Sequence, residues 1–207
     1  MNAVSSDIDN ADKGFNLRTQ SEPANAGNLS DDFKELHAYW DSLRDGAFAP
    51  SWARFDWSCV SPQIIPRCAV VDVRRHPLDF VYRFWGTRRT SVQGADYTGK
   101  TLRDLRPKAI AEKSFREYCN VIAERSPLLI RTHSPAIKWA PAFDYEFLRL
   151  PFSDSGEEVN QILSIGQYDP TVMKLVMDLY DARPAKESML DKLLERLQIV
   201  EVAAQGN

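Results

Sequence analysis

The sequence predicts an α+β fold built on an antiparallel sheet. Two runs rich in β-branched and aromatic residues, Arg67–Val73 and Asp79–Trp85, are joined by a link short enough for a hairpin. Three further strand-like runs, Leu128–Ser134, Phe143–Phe152 and Val159–Gln167, follow one another later in the chain. Between the two groups lie a broken polar stretch and one long amphipathic helix. Strands clustered at each end with helices inserted between them favour an antiparallel sheet over alternating βα units.

Each element has its own warrant. Residues 1–29 are rich in Ser, Asn, Asp, Ala and Gly without apolar periodicity, and so are expected to form a disordered leader. Ser30 is placed to cap a helix, with Asp31 and Asp32 in its first turn. Phe33, Leu36, Trp40 and Leu43 recur at helical spacing and make one apolar stripe, which Gly46 and Pro50 bring to an end. In the strand Asp79–Trp85, simple alternation puts Phe80, Tyr82 and Phe84 on one face and Val81, Arg83 and Trp85 on the other. Gly86, Gly94 and Gly99 break the next stretch into short turns. After Pro107, residues 108–125 carry Ile110, Phe115, Tyr118, Val121 and Ile122 along one side of a helix. In Phe143–Phe152, Tyr145, Phe147 and Arg149 share a face opposite Leu148 and Leu150, and the turn Ser153–Gly156 leads into the last strand.

The C-terminal part reads as helical. Met173, Val176, Met177 and Tyr180 form one face before Pro184 interrupts. A second helix over 185–202 presents Leu190, Leu193, Leu197 and Val200 three and four residues apart. That seam suits a dimer or partner-binding helix, or packing back on the domain.

Composition excludes several classes. A net charge of −3 gives no overall basic footprint for nucleic acid. No apolar run reaches the roughly 20 residues of a membrane span, and the N-terminus lacks a signal-peptide core, so a cytoplasmic protein is expected. Cys59, Cys68 and Cys119 are widely spaced, and His37, His76 and His133 are isolated. No disulfide framework or metal site is expected from them. No carboxylate pair or nucleophile–base pair stands out, so no catalytic residue is assigned.

One motif points elsewhere. Gly94–Thr101, GADYTGKT, fits the phosphate-loop pattern letter for letter. Such a loop needs a buried strand before it and a long helix after it. Arg88-Arg89-Thr90-Ser91-Val92-Gln93 is no buried strand, and Pro107 limits any helix after Lys100 to a turn or two.

The order and spacing of several pieces resemble a PAS domain, and in particular a bacterial subfamily in which the domain makes up nearly the whole protein. Those pieces are Leu36-His37-Ala38-Tyr39-Trp40 with Leu43-Arg44, Ile65-Pro66, Tyr82–Thr87, Gly94–Gly99, Glu146–Phe152 and the Gly156 turn. The resemblance covers about Leu29 to Asp169. It implies a five-stranded antiparallel sheet with a helical cap segment, plus N-terminal and C-terminal helices. It also implies a leader at 1–29, a PAS domain at 30–170 and a helical extension at 171–207. Functionally it implies a non-catalytic cytoplasmic sensor or adaptor in bacterial signal transduction, binding a small molecule, a signalling partner or both, and forming a homodimer. The sequence has no flavin-type Asn-Cys-Arg-Phe run and no His in the long helix to ligate haem, so neither cofactor is expected. A small enzyme on a cone-shaped α+β fold remains the alternative, with nucleotide binding at Gly94–Thr101 behind it. The candidate pocket combines Tyr82, Phe84, Arg88, Arg89, Arg131, His133 and Tyr145: aromatics to line a cavity, and an Arg to clamp a carboxylate or phosphate. Most other charges of the basic stretch Arg67–Lys108 read as a solvated surface.

Overall fold

A computed structural model describes residues 17–136 and 141–181. Its strands are β1 (Arg18–Pro23), β2 (Cys68–Arg74), β3 (Asp79–Trp85), β4 (Leu128–Ser134), β5 (Phe143–Phe152) and β6 (Gln161–Gln167). Its helices are α1 (Asp31–Ser42), α2 (Thr87–Gln93), α3 (Lys108–Glu124) and α4 (Pro170–Asp181), with single 3₁₀ turns at Trp52–Arg54, Trp57–Cys59, Ile65–Arg67 and Leu102–Asp104. The strands form one antiparallel sheet in the order β1-β4-β5-β6-β2-β3.

The sheet therefore has six strands where five were expected, and the extra one comes from the expected leader. β1 pairs with β4 from Arg18↔His133 to Pro23↔Leu128. Its side chains are almost all exposed. Backbone ladder bonds and the Glu22–Arg131 ion pair hold it in place, so no apolar period marks it in the sequence. Covering the edge of β4 also removes a row of unpaired backbone groups.

Each face of the sheet is buried under a different layer. On one side lies α1, whose Phe33, Leu36 and Trp40 pack on Cys68, Val70, Leu129, Leu148, Leu150 and Ile165. The Trp40 indole N–H donates to the carbonyl of Pro151 at 2.7 Å, which satisfies the polar end of a fully buried side chain. Ser30 flanks the helix but does not cap it with its side chain, since its hydroxyl donates to Gln167 Oε1 instead. The second face carries Ala69, Val71, Phe80 and Tyr82 against Phe115, Tyr118 and Val121 of α3.

The pattern on β3 departs from simple alternation. Val70 pairs with Phe84 and Val71 with Tyr82, so Arg83 is an extra residue in a β-bulge. Beyond the bulge the faces swap. Phe80, Tyr82 and Trp85 join the α3 side, whereas Phe84 packs with the α1 side against Trp57.

At the end of β3, Gly86 allows a close approach. A Cβ there would lie 2.3 Å from the carbonyl oxygen of Pro66, and the Gly86 N–H donates to Cys68 O at 2.9 Å. The contact fixes where α2 leaves the sheet.

Candidate functional site

A largely enclosed cavity of about 40 Å³ lies where β5, α2, α3 and α4 meet. Its polar wall is built from three elements. α2 brings in Arg89, α3 supplies Lys113 and Glu117, and β5 supplies Arg149. The remaining wall is aromatic and thioether: Trp85, Tyr145, Phe147 and Tyr168, with Met173 and Met177 from α4. The two methionines are buried against Val92 and Tyr145, as the helical spacing of α4 predicts, so this helix closes the cavity.

Burial and charge set the chemistry. Arg149 is 2% exposed and Glu117 5%. Glu117 accepts from both Arg149 and Lys113, while Arg149 also donates to Ser164 Oγ at 2.6 Å and to the Tyr118 hydroxyl at 3.2 Å. Burial pushes the Glu117 carboxyl up, but the neighbouring Lys113 and Arg149 charges outweigh it and leave the group below its usual range. Burial pulls the Lys113 ammonium down, with Glu117 opposing. The Tyr145 hydroxyl is pushed up, first by burial and then by the Glu117 charge.

Arg89 has a different environment. It is 9% exposed and forms no ion pair among the described residues. Its guanidinium lies 4.6 Å from the Trp85 ring centroid and 5.4 Å from that of Phe147, whose ring also receives Arg149 at 4.9 Å. Three buried donors on this wall have no partner: Arg89 Nη1, Arg149 Nε and Trp85 Nε1. Buried donors are nearly always satisfied, so three on one cavity wall need an explanation.

The seven predicted pocket residues do not stay together. Arg89 and Tyr145 line the cavity. Tyr82 sits behind it, fully buried against Trp85. The bulge at Arg83 turns Phe84 to the opposite side of the sheet, and Arg88 is exposed on the outer side of α2. Arg131 and His133 lie on the sheet face away from the cavity. There Arg131 pairs with Glu22 and Glu146, and His133 meets Asp144 at 2.8 Å. The residues missing from the prediction include Trp85, Lys113, Glu117, Phe147, Arg149, Tyr168, Met173 and Met177. Arg149 carried a readable signal, being a charged residue on the same strand face as Tyr145 and Phe147.

Four other arginines of the basic stretch are neutralised by ion pairs. Arg67, Arg75, Arg83 and Arg103 each find a carboxylate, at Asp32, Glu158, Asp72 and Asp79 respectively. Gly94–Thr101 does not have the geometry of a phosphate loop. Gly94 ends α2 in the left-handed conformation at φ 77°, and Gly99 donates to Tyr82 O at 2.7 Å, so the segment pairs along β3. Only the 3₁₀ turn Leu102–Asp104 follows Lys100, and the Thr101 hydroxyl is engaged by Asp104. A shallower groove of about 420 Å³ runs outside the α2–α4 contact between Ser91 and Lys174, open to solvent. The predicted seam Leu190, Leu193, Leu197 and Val200 lies outside the described residues.

Among the described residues, no helix is long and apolar enough to cross a membrane, and no group of three His, Cys, Asp or Glu side chains is arranged to hold a metal ion. Residues 30–167 match the sequence profile of a family described as PAS domain. No curated protein matches the chain. Among solved structures, an RNA-binding light-oxygen-voltage receptor is similar at 12% identity with a TM-score of 0.40, over 92% of this chain and 45% of the receptor. The chain thus spans less than half the length of that receptor.

Proposed function

Because the chain belongs to the PAS domain family, we propose that it is a sensor domain whose internal cavity takes a small molecule, and that α4 passes occupancy of the cavity to the C-terminal extension. The observation that carries this reading is the composition of the cavity. Part of the wall is α4 itself, through Met173 and Met177, so a ligand that fills the space changes the contacts of the last described helix. The protein acts without catalysis, in signal transduction, as a homodimer or with a signalling partner.

The alternative of a small enzyme draws on one observation: the cavity is polar and its titratable groups interact, as those of an active site do. Their state argues against turnover. Glu117 is held ionised by two cations, which makes it a weak general base, and Tyr145 is pushed up and away from acid chemistry at neutral pH.

Native mass spectrometry of freshly purified protein tests the sensor reading. A retained organic mass is expected, and it should disappear in Ser114→Phe, which fills the α3 wall of the cavity. Protein that carries no added mass, and whose α4 exchanges hydrogen at the same rate in both forms, would sink the reading.

A further inference from the structure

We infer that the cavity is built for a small organic carboxylate: an anionic head held by Arg89, with a short apolar stem against the methionines of α4. The inference rests on the sensor reading and names the class of ligand for that site.

Charge makes the first argument. The cavity wall carries three cationic side chains, Arg89, Lys113 and Arg149, against one carboxylate, Glu117. Glu117 is already shared between Lys113 and Arg149. Arg89 is left with no carboxylate partner among the described residues, with the Trp85 and Phe147 rings beside it and its buried Nη1 without an acceptor. An unpaired buried charge is costly, and a bound anion removes the cost at the one cavity cation without a carboxylate among the described residues.

Hydrogen bonding makes the second. Arg89 Nη1, Arg149 Nε and Trp85 Nε1 are all donors, all buried and all without acceptors. A carboxylate is acceptor-only, with two oxygens and about four lone-pair directions, and so complements a wall of donors. A neutral amide brings donors of its own and matches that wall less well.

Shape makes the third and separates carboxylate from phosphate. Beside its polar groups the lining carries Val92, Leu105, Ile110, Met173 and Met177, apolar surface that suits a ligand with an apolar stem and leaves the oxygens of a tetrahedral anion poorly matched. A volume of about 40 Å³ compares with the roughly 10–15 Å³ that one water needs. That is space for about three waters, or three to four non-hydrogen atoms: a carboxylate with a one-carbon stem, as in acetate, against which methionine side chains adapt readily.

Acetate, its neutral isostere acetamide and inorganic phosphate distinguish the possibilities at fixed pH and ionic strength, by thermal shift and calorimetry. Acetate is expected to bind and raise Tm, acetamide and phosphate are not, and Arg89→Gln should weaken acetate by about tenfold or more. The exposed neighbour substitution Arg88→Gln should leave binding unchanged. Equal effects of acid and amide, a response to phosphate alone, no response to acetate, or full binding by a folded Arg89→Gln protein would each overturn the inference. The acid–amide comparison uses the unaltered chain, so it decides even where Arg89→Gln fails to fold. Acetate binding without a change in α4 exchange would keep this inference and remove the sensor reading. A neutral ligand that alters α4 exchange would do the reverse.

Discussion

Glu117 is the residue on which the cavity wall depends. Replacing it by Gln leaves Lys113 and Arg149 buried without a countercharge, a change expected to cost about 3–5 kcal/mol in chemical denaturation. The pH dependence has a definite sign. The Glu117 carboxyl lies below its usual range in the folded chain, so the unfolded chain binds the proton more readily. Its contribution is complete above the normal carboxylate pKa of about 4.3 and is lost as pH falls through the depressed folded value. Acid denaturation of Glu117→Gln should therefore be shallower than that of the unaltered chain, and parallel curves would contradict the assignment. Thiol reactivity gives a second residue-scale test. Burial pushes Cys68 up to about 12 and Cys119 up to about 11, whereas Cys59 is exposed. Alkylation of native protein near pH 8 should modify Cys59 alone; rapid modification of Cys68 would mean that the α1 face opens. At this scale the sequence was only partly legible. Strand alternation from Leu128 already places Arg131 and His133 on the face of Leu129, away from Tyr145. Telling Arg89 from Arg88 required the helical phase of α2, which is set by how the chain leaves β3.

The junction between β3 and α2 is the element-scale determinant. The bulge at Arg83 puts Trp85 on the cavity side, and Gly86 then lets the backbone pass against Pro66. Because the contact at 2.3 Å is with backbone, no side chain can swing aside to relieve it. Gly86→Ala is expected to cost about 3 kcal/mol or more and to displace Arg89; a thermal midpoint within a degree or two of the parent would refute the contact. Elements marked by periodicity were legible: the stripe of α1, the long α3 and the hairpin of β5 and β6 fall where the spacing of apolar residues predicts. The bulge and β1 were not. A bulge inserts one residue without changing local composition, and β1 is held by backbone pairing and by the Glu22–Arg131 pair rather than by an apolar face.

Across the whole molecule, one sheet separates two jobs. The α1 side is a packed aromatic and aliphatic layer, and the other side holds the charged cavity that α4 closes. The overall fold could be read from the sequence because the strand order and helix spacing agree locally. The contents of the cavity could not, because Arg89, Glu117, Arg149 and Met173 come from four separate elements and meet only in three dimensions. If the extension beyond α4 mediates self-association, removing residues 185–207 should lower the mass seen by light scattering; an unchanged mass would take that segment out of the account. The most direct test of the central claim is hydrogen exchange across Pro170–Asp181 in Ser114→Phe, where the cavity is altered from the α3 side without touching α4 in sequence. The account predicts at least a threefold change in exchange over α4 and the facing part of α2, with β2 and β6 unaltered. A folded Ser114→Phe protein whose α4 exchanges at the parent rate would contradict it.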